Sequence, residues 1–215
     1  MKLLPLTLIA ALGLTAMPAL AQQTTAPATP AATAPAEGIL PDMTMGATDA
    51  PVEVIQYASF TCSHCAAWEK DIFPRLKMEY IDTGKVKFTH REVYFDKVGL
   101  WAGMVARCGG DQKYFPISQM IYDEQAKWIG DGQPTTIADG LRKLGVKAGL
   151  TNEQVDACLD DQAMAEKMVA TFQATAGKDE INATPTFIIN GEKKSNMPWD
   201  EFKAILDAEI AKAKG

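Results

Sequence analysis

The chain has 215 residues, 47% of them hydrophobic and 22% charged, with a formal net charge of −6. That length and balance suit one good-sized globular domain, or one domain carrying a substantial insertion. An acidic chain without a basic block is a poor candidate for nucleic acid or for an anionic membrane surface.

Met1 to Ala21 reads as a secretory leader: Lys2 supplies the positive end, Leu3 to Leu14 is almost wholly apolar, and Ala19-Leu20-Ala21 is a small-x-small cleavage site. The apolar run is shorter than the ~20 residues that span a bilayer, and Pro18 interrupts its end. Cleavage after Ala21 removes Lys2, taking the charge from −6 to −7. It also delivers the mature chain to an oxidising compartment where disulfides persist. Residues 22–40 are dominated by Ala, Thr, Pro and Gln, with nothing large to bury before Gly38, and read as a disordered tether. Such a tether leaves no room for a separate N-terminal dimerisation module, and a monomer is expected.

Globular sequence follows. Turn-like Met45-Gly46-Ala47 and Asp49-Ala50-Pro51 precede an apolar run from Val52 to Phe60. Only Glu53 and Gln56 interrupt that run, which predicts a central strand covered on both faces. A helical repeat of Trp68, Ile72, Leu76 and Tyr80 predicts a helix from Thr61 to about Tyr80, kinked at Pro74. Val86 to Val93 predicts a partly polar strand nearer an edge, with His90 at the surface. Residues 97–177 change character, with apolar residues at helical spacing and Gly or Pro breaks near 109–110, 130–134 and 145–149. Within this helical insertion, Thr151-Asn152-Glu153-Gln154 fits a capping box ahead of one long helix from about Glu153 to Thr175. Thr186 to Ile189 returns to strand, Asn190-Gly191 signals a hairpin, and Pro198 opens an amphipathic final helix.

The chemistry concentrates at Cys62-Ser63-His64-Cys65, where strand gives way to helix. Cys-x-x-Cys in a strand–helix context is a redox signature. At the helix start the unpaired N–H groups and the macrodipole favour a thiolate on Cys62, and His64 adds a donor or cation within the same turn. Cys65, one turn further in and aligned with Trp68, is the better buried member and the candidate resolving cysteine. Far along the chain Thr184-Pro185 precedes an apolar strand. An X-Pro bond there is either trans at a strand start or cis, and a cis bond would turn the Thr184 backbone toward the Cys62 sulfur, free to pair with an extended peptide.

Taken together, a strand, Cys62-Ser63-His64-Cys65 on a proline-bearing helix, a helical insertion, and Thr184-Pro185 before a hairpin resemble the thioredoxin superfamily. Within it the chain is similar to the DsbA-type periplasmic thiol–disulfide oxidoreductases, from roughly Val52 to the C-terminus. The resemblance implies an α/β thioredoxin fold, with residues 41–96 and 178–215 forming the fold and 97–177 inserted between its N-terminal βαβ part and its C-terminal hairpin and helix. It implies Cys62 as nucleophile, Cys65 as resolving cysteine, a cis Thr184-Pro185 bond at the substrate site, and no metal or organic cofactor. It further implies periplasmic work on unfolded or newly exported cysteine-containing proteins, with reoxidation by a quinone-linked membrane partner. Two departures bear on redox tuning: Ser63 stands where many relatives have proline, and Gln56 where many have a buried carboxylate beneath the cysteines. Glutamine is no base, so the Cys65 proton needs another route.

Cys108 and Cys158 form an even leftover pair, which in an exported chain favours a structural disulfide; the other reading is two buried thiols. A zinc site would need more ligands near Cys62 and Cys65 than this stretch offers. Met43, Met45, Met164 and Met168 read as core rather than as a substrate groove, and Lys193-Lys194 as a solvated turn. Readings that share the site are a disulfide reductase or isomerase. A different class is a non-catalytic protein using its thiols to hold metal or clients.

Overall fold

The computed structural model of the chain describes residues 38–214. The leader at 1–21 and most of the 22–40 tether lie outside the described residues. At the edge of that stretch the Leu40 N–H donates to the Thr171 hydroxyl at 2.9 Å.

Five strands, β1 (Met43–Met45), β2 (Val52–Ala58), β3 (Val86–Glu92), β4 (Thr186–Ile189) and β5 (Glu192–Ser195), form one sheet in the order β1-β3-β2-β4-β5. β2 and β3 are parallel, and the other pairings are antiparallel. Side chains alternate across a strand, so Val52, Val54, Gln56 and Ala58 share one face of β2 while Ile55 and Tyr57 share the other. The helices are α1 (Ser63–Asp71), α2 (Phe73–Leu76) with a π-helical turn at Lys77–Ile81, α3 (Lys97–Cys108), α4 (Asp111–Asp123) and α5 (Gln125–Ile129). They continue with α6 (Pro134–Lys147), α7 (Asn152–Leu159), α8 (Gln162–Lys178) and α9 (Trp199–Lys214). Two face the sheet from one side: Trp68 of α1 and Phe202 of α9 join Val52, Val54, Phe88 and Phe187 in one buried cluster. On the other side Phe172 and Ala176 of α8 pack with Ile55 and Tyr57.

Trp68 is the pin of the first cluster. Its ring lies 4.9 Å from Phe187 and 5.9 Å from Phe202, centroid to centroid, in tilted and edge-on arrangements that suit aromatic quadrupoles. This fixes α1 against the sheet one turn beyond the cysteines. A second cluster belongs to the insertion, and Phe60 and Cys65 are part of it together with Val105, Ile117, Ile121, Trp128 and Leu141. Gly140 lets α6 cross α5 closely, since a Cβ there would stand 2.7 Å from the Trp128 Cα. Gly46 is needed for another reason: its φ of +95° is left-handed, and a Cβ would meet the Val86 carbonyl at 2.5 Å.

Four expectations from the sequence are corrected. β3 is interior, because the three-residue β1 pairs along its outer side. His90 is accordingly buried, at 3% exposure, with the insertion packed over it. The helix after the cysteines does not bend at Pro74 but stops at Asp71 and restarts at Phe73. Pro74 sits in the first turn of the new segment, where a missing N–H is harmless. Finally, the helix foreseen from Glu153 to Thr175 is two helices. Asp160 ends α7, and the Asp161 carboxylate caps α8 by accepting from the Met164 N–H at 2.9 Å. The Thr151–Gln154 capping box is formed at the start of α7.

One buried ion pair ties the insertion to the sheet. Arg107 of α3 grips Glu92, at the end of β3, with two hydrogen bonds of 2.8 and 2.6 Å, and both side chains are under a tenth exposed. Removing only one partner strands a buried charge. Arg107→Met should therefore destabilise the fold by about 3–5 kcal/mol in urea unfolding at pH 7, and adding Glu92→Gln should recover much of that loss.

Candidate active site

Cys62 is not inside α1 but is its N-cap, with φ −83° and ψ 118°. Its sulfur accepts from the Cys65 N–H at 3.4 Å, in the way a serine or aspartate oxygen would satisfy the first turn. Behind it the chain turns sharply, with the Cys62 N–H donating to the Ser59 carbonyl at 3.1 Å. The turn is held from the insertion side at two points. Gln125 of α5 donates from its side-chain amide to the carbonyls of Phe60 and Cys62, at 2.8 and 3.1 Å. The Thr61 hydroxyl donates to Asp96 at 2.6 Å, and the other oxygen of the same carboxylate caps α3 by accepting from the Gly99 N–H.

The two thiols, unbonded here, stand in opposite environments. Cys62 is partly exposed and its pKa is brought down to about 5. The main cause is hydrogen bonding from Cys65, which outweighs the desolvation of a half-buried sulfur. Thr184 and the backbone N–H groups of Cys65 and His64 contribute further. What His64 gives is its main-chain N–H; its imidazole is exposed. Ser63 is exposed too. Cys65 is fully buried, and burial together with its neighbour Cys62 pushes its thiol far up.

Thr184-Pro185 comes to this point from the other end of the chain. The peptide bond between them is cis, and the Cys62 sulfur lies 3.4 Å from the Thr184 carbonyl oxygen. Thr184 is half-buried and Pro185 is buried. Along α1, a cleft of about 320 Å³ is lined by His64, Trp68 and Ile72 together with Met197 and Pro198. Cys108 and Cys158 are joined to each other, linking α3 to α7, with Cα atoms 5.8 Å apart and 50 residues of separation. Among the described residues no three His, Cys, Asp or Glu side chains gather as a metal site. No helix among those residues is long and apolar enough to cross a membrane.

Gln56 lies beneath the pair, on the sheet face that α1 covers. It is fully buried, and neither its amide oxygen nor its nitrogen has a hydrogen-bond partner among the described residues. Its register neighbours are His90 on β3 and Phe187 on β4. His90 bridges two hydroxyls, Nδ1 to Tyr114 at 2.7 Å and Nε2 to Tyr122 at 3.1 Å, so one ring nitrogen donates and the other accepts. Burial brings its pKa down to about 4 and keeps it neutral.

The sequence reading passed over Gln125, Asp96 and Thr61, and also Glu69, a buried carboxyl on α1. Gln125 and Asp96 lie outside the motif and act only through the tertiary fold. Glu69 carried a visible sign, since it follows Cys65 by four residues and so shares its helix face.

The thiolate is a property of the reduced form, so its signature is optical and pH-dependent. Absorbance of the reduced protein near 240 nm should titrate with a midpoint near pH 5, and Cys62→Ser should abolish the transition. Because the folded pKa is depressed from an unfolded value of ~8.5, the extra stability of reduced over oxidised protein is fully present above ~8.5. It should shrink as pH falls through about 5.

Residues 40–208 match the family model described as Thioredoxin. A Rickettsia bellii sequence, provisionally named a protein-disulfide oxidoreductase, is 33% identical over 174 residues, 80% of this chain and 66% of the relative. The chain thus spans somewhat under two thirds of the length of such Rickettsia relatives, 62% for the one from Rickettsia felis. Disulfide bond formation protein D of Bacillus subtilis is 25% identical over 175 residues, covering 77% of this chain and 76% of that protein. Among solved structures, alpha-DsbA1 of Wolbachia pipientis superposes with a TM-score of 0.72 at 27% identity, covering 80% of this chain and 92% of its own. The oxidised BdbD of Bacillus subtilis does so with a TM-score of 0.70 at 24% identity, covering 79% and 93%. The chain belongs to the thioredoxin family and is built on its DsbA-like architecture.

Proposed function

We propose that the protein is a thiol–disulfide oxidoreductase that introduces disulfide bonds into exported proteins by exchange at Cys62-Ser63-His64-Cys65. The observation that carries this reading is the asymmetry of the pair: a helix-capping, partly exposed Cys62 with its pKa near 5, and a buried Cys65 held as a thiol. A stabilised thiolate lowers the energy of the reduced form alone. Each pKa unit of such stabilisation is worth about 1.4 kcal/mol, or roughly 30 mV in a two-electron couple. The couple is thereby an electron acceptor.

In the forward cycle a substrate thiolate attacks the Cys62 sulfur of the Cys62–Cys65 disulfide. Cys65 leaves and takes up a proton, and a mixed disulfide joins substrate to Cys62. A second substrate thiolate attacks the substrate sulfur of that bond, releasing Cys62 as thiolate. Substrate loses two electrons and the enzyme gains them. In this reading the Thr184 backbone, ahead of Pro185, receives an extended substrate segment by strand-like pairing. Ser63, His64 and Gln56 set the potential. The Cys108–Cys158 bond is structural.

Its substrates would be unfolded or newly exported cysteine-containing proteins, met in the periplasm after loss of residues 1–21. A quinone-linked membrane partner would return the enzyme to its disulfide, with the protein acting as a monomer without metal or organic cofactor. The disulfide bond formation proteins among its relatives support this assignment.

Oxidation of a reduced, unfolded multi-disulfide protein by the full chain is the direct test, and Cys62→Ser should abolish it. Redox equilibration with glutathione separates the alternatives. A potential near ~−270 mV would indicate a reductase and overturn the assignment, and no measurable dithiol couple would point to a binding protein. The Cys108→Ala/Cys158→Ala variant should keep its exchange activity while losing up to about 4 kcal/mol of stability, the chain-entropy estimate for a loop of 50 residues.

A further inference from the structure

The cycle leaves one proton unassigned. When Cys65 departs from the disulfide it becomes a thiolate inside a cluster of apolar side chains, the place least able to hold a charge. With Gln56 in the sheet beneath it, the β2 position under the pair offers no ionisable side chain, and the neighbouring His90 has both ring nitrogens engaged by tyrosine hydroxyls. The acid that remains close by is on the helix itself. Glu69 follows Cys65 by one turn of α1, on the same face, and is 4% exposed.

We infer that Glu69 is the proton store of the Cys65 sulfur: as a buried carboxylic acid one turn along the same face of α1, it supplies the proton that Cys65 takes up on leaving the disulfide. The inference rests on the oxidoreductase reading of the same site. The step balances simply. The substrate thiolate forms its bond to Cys62, the Cys62–Cys65 bond breaks with its electron pair on Cys65, and Glu69 passes from acid to carboxylate as Cys65 passes from thiolate to thiol.

The surroundings suit that role. Among the described residues no cation forms an ion pair with Glu69. Burial, the main cause, raises its carboxyl to about 8, Asp123 adds to the rise, and the Gln56 amide opposes it. In this structure the Gln56 amide makes no hydrogen bond to the carboxyl, although it is one of the groups that act on it; an amide offers N–H to a carboxylate and C=O to an acid. Tyr122, brought in by α4, packs in the same buried cluster as Cys65, and its phenol is hydrogen-bonded to His90. Lys70 and Lys77 stand at the rim of the cleft that Glu69 lines, and Lys77 is engaged by Asp82 at 2.6 Å. That cleft, of about 600 Å³, gives the carboxyl a route for proton exchange with solvent between turnovers.

Because Glu69 acts on Cys65 rather than on substrate, its test must separate proton supply from simple support of the fold. Single-turnover oxidation of a reduced two-cysteine peptide would be followed from pH 6 to 9.5 with the wild-type chain, Glu69→Gln and Glu69→Asp. Taking the ratio of rates cancels the ionisation of the peptide. The wild-type to Glu69→Gln ratio should be roughly tenfold or more at pH 6.5 and fall toward one above pH 9, with Glu69→Asp restoring the dependence. A ratio that does not change with pH, at whatever value, makes Glu69 structural and overturns the inference. A second reading needs no variant. In wild-type protein carrying carboxyl-labelled glutamate, one ¹³C resonance should titrate near pH 8 in the reduced state, and titration of every glutamate below pH 6 overturns the inference. A wild-type chain that leaves the peptide reduced would instead overturn the oxidase reading, while the resonance still decides whether Glu69 is a buried acid.

Discussion

One helical turn has to hold two identical side chains in opposite states, and the rest of the molecule is arranged to make that possible. At the N-terminus of α1 the backbone offers unpaired N–H groups, and a sulfur in the capping position takes one of them. Three residues later the same helix has passed under the insertion, where water is excluded. A free helix could provide the first condition, since it depends only on local geometry. The second requires neighbours. Trp68 presses α1 onto the sheet, and the α3–α6 cluster closes over Cys65 and Phe60.

That division explains how much could be read beforehand. Cys62, Cys65 and the apolar run of β2 were legible because a strand ending at a cysteine-bearing helix start is a local pattern. Thr184 was legible only in company, through its proline and the hairpin that follows. The misplacement of β3 and His90 has a definite origin. Lys87, Thr89 and Arg91 make β3 look half-solvated, and three residues at Met43–Met45 are too few to announce the strand that covers its flank. His90 is then enclosed by tyrosines from α4, separated from it by 24 and 32 residues. The break between α7 and α8 was hidden for the opposite reason. Asp160 and Asp161 are tolerated in a helix, and only the capping geometry shows that they end one and begin another.

A band of buried polar groups runs beneath the site, with Gln56, His90 and Glu92 on one face of the sheet and tyrosines and Arg107 set against them. Apolar packing alone would allow the insertion to slide over β3. Hydroxyl-to-imidazole bonds and a two-point guanidinium grip allow one position only, because any other leaves donors or a charge buried without a partner. The insertion therefore carries a registration device, and the position it enforces is the one that seals Cys65.

Cys65 belongs to the packing of the insertion while Trp68, on the same helix, belongs to the packing of the sheet. α1 is thus a party wall between two interiors. Such a wall cannot be handed to either side: a chain cut back to its sheet and terminal helices would open Cys65 to water, and an isolated helical lobe would have no floor. The topology looks modular, as a fold with a cassette spliced into it, yet the working unit is indivisible. Lineages that remodel this protein are free to vary the outer surface of the cassette and its loops. Its inner lining has to change in step with the helix it encloses.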